Sequence, residues 1–139
     1  MSNHLINANP SPIGRAGRAA LRAMGVHPED REATRLDLRG RRALLIATNQ
    51  GTLDVGVATG VYGSELTVPY YCFLDAGMEV DVASPRGGLV PVEPLSMRAE
   101  LRTASDDRML NDERFRAQLS GSLAVEAIDF RGYDLIYLA

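Results

Sequence analysis

The pattern of apolar and polar positions predicts three strands with different degrees of burial. Residues 43–47 form a continuous apolar run without polar alternation, which is typical of a parallel strand covered on both faces. Residues 78–83 alternate apolar and charged side chains, as an edge or half-covered strand does. Residues 134–139 form a third, mainly apolar strand. The pattern therefore indicates a sheet with at least one interior strand.

Between the first two strands the sequence predicts a loop and a helix. The loop over 49–63 contains four glycines, and the helix begins near Ser64 or Thr67 and ends at Gly77. Cys72 lies in the middle of this helix, and we expect it to pack in the core as a structural thiol. Strand, helix and strand in this order form a βαβ unit, which predicts an α/β fold with a mainly parallel sheet.

The last strand leads to an expectation about the extent of the domain. Leu135–Leu138 has the composition of a strand buried on both faces, which needs neighbouring strands and covering helices. The sequence is therefore expected to be the N-terminal part of a larger α/β domain. The alternative is a small three-stranded domain that ends with this strand.

Composition excludes several classes of protein. The chain has 139 residues, and its 45% hydrophobic and 24% charged content is ordinary for one globular domain. A single Cys and the lack of an apolar run of about 20 residues favour a cytoplasmic location. The net charge of −3 argues against nucleic-acid binding. His4, His27 and Cys72 are too far apart for a metal site, and no glycine-rich phosphate motif follows a strand, so no metal or cofactor is expected.

The charge distribution suggests two parts of the chain. Every basic residue is Arg, and residues 1–42 carry eight of them against four acids. We expect residues 1–41 to form a partly disordered or helical extension and residues 42–139 to form the α/β domain. Arg15, Arg18 and Arg22 would share one side of a helix, which could attach to a membrane or a polyanion. The favoured alternative is a solvated extension, with no role in membrane binding.

Glu65 is the one candidate catalytic residue. It lies at the start of the predicted helix, near the crevice that forms at the carboxyl ends of parallel strands. A carboxyl group there could exchange a proton with a nucleophile. The simpler interpretation is an acid that the helix dipole favours in the first turn.

Several segments in order resemble the ThiJ/PfpI superfamily of class I glutamine amidotransferase-like proteins. The matching segments are Ala43–Asn49, Thr59–Tyr70, Ala76–Gly88, Pro91–Ser96 and Asp129–Ala139. They are most similar to the branch of heat-shock chaperones and glyoxalase III-type proteins. The resemblance covers residues 42–139, and its specificity lies in the ordered series rather than in any one motif.

The resemblance implies an incomplete flavodoxin-like (Rossmann-like) three-layer sandwich and often a dimer. It implies activities on methylglyoxal or on amides, or a holding chaperone role in stress. The family glutamate that hydrogen-bonds the nucleophilic thiol matches Glu65. The family nucleophile and its His would follow Ala139, and Cys72 matches a helix position instead. We therefore expect no catalysis by this chain alone, and a homo-oligomer or a partner chain that covers the open sheet.

Overall fold

The computed structural model describes residues 36–139 together with Gly17, Ala19, Ala20 and Ala23. The predicted basic helix around Arg15, Arg18 and Arg22 lies outside the described residues. The strands are β1 (Arg42–Ile46), β2 (Glu79–Ser84), β3 (Leu123–Ala124) and β4 (Leu135–Leu138). The helices are α1 (Gly63–Asp75), α2 (Ala104–Leu110) and α3 (Glu113–Ser120), and short 3₁₀ turns occupy Val125–Ala127 and Phe130–Gly132.

The four strands form one parallel sheet in the order β3-β2-β1-β4. Ala43 lies opposite Val80 of β2 on one side and Leu135 of β4 on the other. The prediction of an α/β fold with a parallel sheet is confirmed. The strand order reverses between β1 and β4, which is the point where open α/β sheets form their crevice.

One face of the sheet and all three helices share the hydrophobic core. Ala43 and Leu45 of β1 point to this face, as do Ala47 directly after the strand and Val80 and Val82 of β2. Because side chains alternate along a strand, Leu44 and Ile46 point to the opposite face. Leu44 is fully buried there, so β1 is interior on both faces, as the sequence predicts.

The buried face of α1 differs from the predicted one. Leu66 and Tyr70 are one turn apart and buried, and so are Thr67 and Tyr71. Cys72 is exposed, so the expectation of a packed thiol is wrong. The physical reason is that the larger aromatic side chains one and two positions earlier direct the helix toward the sheet.

Two short helices, α2 and α3, follow each other between β2 and β3, and each begins at a capping side chain. Thr103 begins α2 with a capping box, in which its side chain accepts from the Asp106 N–H and the Asp106 carboxylate accepts from the Thr103 N–H. Asp112 caps α3 by accepting from the N–H of Phe115. The spacing Thr-x-x-Asp at 103–106 is the sequence pattern from which the start of α2 could have been predicted.

β4 is an edge strand in the part of the chain that the structure describes. It pairs with β1, and Ile136 and Leu138 are 48% and 73% exposed on the face opposite the helices. The expectation that 134–139 forms a strand buried on both faces is therefore not met within residues 36–139. Leu135 and Tyr137 do pack against the core cluster on the helix side. The two-residue strand β3, which the sequence analysis missed, is the other edge.

Phe115 is the side chain whose removal should weaken the core most clearly. It is fully buried and stacks on Tyr70, with ring centroids 3.7 Å apart and planes within 5°. We expect Phe115→Ala to lower the free energy of unfolding by about 3–5 kcal/mol, because it leaves a cavity between α1 and α3. Urea denaturation measures this. The control Arg116→Ala, on the exposed side of α3, should change it by less than about 0.5 kcal/mol.

Candidate functional site

The first turn of α1 lies at the carboxyl edge of the sheet. The C-terminal end of α1 is tied to the amino edge, because the N–H of Leu38 donates to Ala76 O and that of Glu79 donates to Arg41 O. The 13 residues of α1 rise about 20 Å. The helix therefore returns along the sheet, and its N-terminus lies near the strand ends where ligands bind in such folds.

Glu65 is the exposed acid of this first turn. Its backbone N–H donates to Tyr62 O at 3.0 Å, which closes the turn. The side chain is thus presented to solvent at the carboxyl edge, with the positive end of the helix dipole beneath it. This position is compatible with proton exchange and equally with the simpler role of a first-turn acid, so a catalytic role stays a prediction.

Cys72 lies on the same helix, seven residues after Glu65. Seven residues make almost two turns, so both exposed side chains lie on one side of α1. The helical rise separates their Cα atoms by about 10 Å along the axis. This separation is too large for the carboxyl group to hydrogen-bond the thiol directly. Cys72 therefore does not form a thiol–carboxyl pair with Glu65.

The buried carboxylate of Asp106 holds the N-terminal part of α1 in place through a hydrogen bond. Asp106 is 1% exposed, and its Oδ1 accepts from the hydroxyl of Thr67 at 2.6 Å. Its Oδ2 accepts from the N–H and the hydroxyl of Thr103 at 2.7 and 2.8 Å. The carboxylate therefore links α1 to the start of α2.

Gly63 allows this close approach. Its N–H donates to the buried hydroxyl of Ser96 at 2.9 Å. A Cβ at this position would lie 2.8 Å from the Met97 sulfur and 3.0 Å from Asp106 Oδ1. The long loop over 84–101 thus folds back onto the helix N-terminus, and any larger residue at Gly63 would displace it.

At the same edge of the sheet, the side chain of Asn49, which follows β1, hydrogen-bonds the end of β2 and the loop after it. Its side-chain amide nitrogen lies 3.0 Å from Gly87 O and 2.9 Å from Leu89 O, and its oxygen accepts from the N–H of Arg86 at 2.8 Å. The same nitrogen lies 2.8 Å from the hydroxyl of Ser84, the last residue of β2. Asn49 is not among the site residues predicted from the sequence. A polar residue directly after a buried strand was the available signal.

A second cleft lies on the opposite face of the sheet. It has a volume of about 390 Å³ and is lined by Arg42, Tyr133, Gly132 and apolar residues of 123–128. Arg42 stacks over the Tyr133 ring, with 4.7 Å from Cζ to the centroid, and donates to Asp81 at 2.8 Å. Burial and a hydrogen bond to Asp81 raise the pKa of Tyr133 above its ordinary value. The Arg42 guanidinium and the Tyr133 hydroxyl both donate to Asp81 Oδ2, whereas the Arg42 Nε is buried without a hydrogen-bond acceptor among the described residues.

Neither a metal site nor a membrane span is found in the described part of the chain. No group of three or more His, Cys, Asp or Glu residues in residues 36–139 could hold a metal ion. Among the described residues, no helix combines the length and apolarity needed to cross a bilayer.

Comparison with known proteins gives matches among solved structures. The Rapid Encystment Protein 24 kDa of Francisella tularensis is 27% identical, with a TM-score of 0.65. A protein without a descriptive name is 31% identical, with a TM-score of 0.51. Glyoxalase III of Candida albicans is 23% identical, with a TM-score of 0.57. These matches cover 71%, 69% and 69% of this chain. No protein-family model and no curated protein matches the sequence.

The described chain has a ThiJ/PfpI-type fold. This confirms the resemblance drawn from the five sequence segments, at the level of the fold. The chain spans 44%, 40% and 41% of the lengths of the three solved proteins. The match therefore concerns less than half of each of those proteins, and their activities do not transfer with the fold.

Asp106 should matter for the stability of the site. We expect Asp106→Ala to lower the free energy of unfolding by about 1–3 kcal/mol, because Thr67 and Thr103 would keep buried donors without an acceptor. Thermal or urea unfolding measures this effect. Asp54→Ala, in an exposed loop, should leave stability unchanged. An equally small effect of Asp106→Ala would show that the buried network does not hold the first turn of α1.

Proposed function

We propose that this chain supplies the acid–base residue of a glyoxalase III-like or amidase-like site and does not catalyse turnover by itself. The observation that supports this most is the position of Glu65, exposed in the first turn of α1 at the carboxyl edge of a ThiJ/PfpI-type sheet. One of the three solved proteins with this fold is a glyoxalase III. The proposal assigns Glu65 a proton-transfer role in that class of chemistry.

The reaction proposed for the site begins with a thiolate that adds to an aldehyde carbon and forms a C–S bond. Glu65 would take the proton from that carbon and return it to the neighbouring carbonyl carbon, which gives a thioester. Water then cleaves the C–S bond and releases a 2-hydroxy acid and the thiol. An amidase-like reaction would use the same thiol and carboxyl pair on an amide carbonyl.

The described residues bring no thiol into reach of Glu65. Cys72 is the single cysteine of the sequence and lies about 10 Å along the helix from Glu65. A nucleophile for this site must therefore come from outside residues 36–139. This is the physical basis for expecting an inactive chain.

The proposal predicts no turnover of methylglyoxal by the 139-residue chain. We expect lactate formation no faster than in buffer, for the wild-type chain and for Cys72→Ala alike, measured by an enzymatic lactate assay. Turnover that survives Cys72→Ala would contradict the proposed dependence on a thiol.

An added small thiol, such as 2-mercaptoethanol, supplies the missing nucleophile in solution. We expect lactate formation above the rate of methylglyoxal and thiol alone, and a loss of this excess in Glu65→Gln. Glu113→Gln is the matched control, because Glu113 is the exposed first-turn acid of α3. Equal rates in Glu65→Gln and Glu113→Gln would contradict a proton-transfer role for Glu65.

A second candidate function is that of a partner-binding or chaperone-like module. The loop after β1 folds into a small hairpin, with Thr52 opposite Ala58 and the N–H of Leu53 donating to Val57 O. Its tip exposes Leu53, Val55 and Val57, and Val55 is 80% exposed. Clustered exposed apolar side chains of this kind favour contact with another protein.

The hairpin gives this second candidate a direct test. We expect the chain to slow the heat-induced aggregation of citrate synthase, measured by light scattering, and Val55→Ser with Val57→Ser to reduce this protection at least twofold. Val68→Ser is the control, since Val68 is an exposed valine outside the hairpin. If the hairpin variant protects as well as the wild-type chain, the hairpin is not a client-binding surface.

A further inference from the structure

We propose that the cleft beside Arg42 and Tyr133 binds a neutral small molecule that presents a carbonyl or amide oxygen on an apolar body. The cleft has a volume of about 390 Å³, which lies in the range of small-molecule sites. It lies at the amino ends of the strands, since Arg42 begins β1. Glu65 lies at the carboxyl edge, so the inference is independent of the chemistry proposed there.

The part of the chain that joins β3 to β4 forms this cleft. Residues 125–133 cross the helix-free face of the sheet without an α-helix, and the hydroxyl of Tyr133 reaches Asp81 of β2 at 2.8 Å. Between this crossover and the sheet, the apolar part of the cleft is lined by Leu123, Ala124, Ala127 and Ile128. Every lining residue belongs to the range 42–133.

Arg42 supplies a hydrogen-bond donor whose position is fixed. Its guanidinium stacks over the Tyr133 ring, with 4.7 Å from Cζ to the centroid, and its Nη2 donates to Asp81 at 2.8 Å. Its Nε is enclosed and lies 3.7 Å from a carboxylate oxygen of Glu79, which is beyond hydrogen-bonding distance. A ligand does not reach an enclosed nitrogen, so the donor available to a ligand is Nη1.

Nη1 of Arg42 lies beside Gly132, which also lines the cleft. A Cβ at Gly132 would lie 3.5 Å from Nη1. Nη1 makes no hydrogen bond among the described residues, and it is not one of the enclosed atoms. The lack of a side chain at Gly132 therefore leaves room for an acceptor next to a donor that is already held in place. A pre-organised guanidinium of this kind loses little conformational freedom when a ligand binds.

The charges around the cleft favour a neutral ligand over an anion. Arg42 is already paired with Asp81 and lies near Glu79. Asp129, which lines the cleft, is paired with Arg131 at 2.9 Å. These two cations and three carboxylates leave an excess of one negative charge. A phosphate or carboxylate group would add to this excess, whereas a neutral carbonyl oxygen accepts the hydrogen bond without adding charge.

The probe for the test is benzamide, a neutral ring that carries an amide oxygen. We expect benzamide to shift the backbone amide NMR signals of Arg42, Gly132 and Tyr133 in the full chain, with a Kd of about 1 mM for so small a ligand. Benzoate has the same shape but a negative charge, and it should bind about threefold more weakly or worse. Toluene lacks an acceptor for Nη1 and should also bind about threefold more weakly or worse.

Two glycine variants locate the binding site. Gly132→Leu places a side chain beside Nη1 and should weaken benzamide binding by about tenfold or more. Gly121→Leu is the matched control, because both glycines are exposed and neither has a positive φ. It should leave benzamide binding unchanged. Arg42→Lys keeps the positive charge but removes Nη1, so it should weaken the binding of benzamide and not that of toluene.

Circular dichroism establishes which variants fold, and the comparison of the three probes on the wild-type chain needs no variant. The absence of any shift at about 10 mM benzamide would overturn the proposal. Benzamide binding that Gly132→Leu leaves unchanged would overturn the assignment to this cleft. Tighter binding of benzoate than of benzamide would indicate an anion site and overturn the neutral ligand class.

Discussion

The burial of β1 on both faces is the constraint on which the rest of the structure depends. Leu44 and Leu45 are adjacent, fully buried and directed to opposite faces of the sheet. A strand of this kind loses water on both sides, and its backbone must find partners on both edges. β2 and β4 supply these partners in parallel register. The order of the sheet, and with it the crevice beside the carboxyl end of β1, follows from this requirement.

The sheet built around β1 determines the surroundings of two regions of the chain. At the carboxyl edge, Asn49 and the Asp106–Thr67 pair fix the loop after β2 and the first turn of α1, so Glu65 is presented from a rigid base. At the side of the sheet, Leu135 and Tyr137 of β4 pack against the hydrophobic core on the helix side. Ile136 and Leu138 are exposed on the opposite face. The first arrangement sets the position of the α1 N-terminus at the strand ends, and the second leaves two apolar side chains of β4 in contact with solvent within residues 36–139.

The sequence predicted the features that depend on local periodicity. The unbroken apolar run at 43–47, the alternation at 78–83 and the βαβ order were sufficient for the fold class. Features that depend on tertiary competition were not predictable in the same way. Cys72 and Tyr71 are both compatible with a buried helical face, and only packing against Phe115 decides for the tyrosine. Likewise, an Asp-Asp pair is usually solvated, and the burial of Asp106 follows from contacts with Thr67, which is 39 residues away.

Residue-resolved amide hydrogen exchange tests the central claim most directly. If β1 is the interior strand, the amides of Leu44 and Leu45 exchange only through global unfolding, with an exchange free energy equal to that from urea denaturation. The α1 amides should then exchange no more slowly than those of β1. Exchange of Leu44 and Leu45 through local opening, while α1 remains protected, would contradict a fold organised around β1.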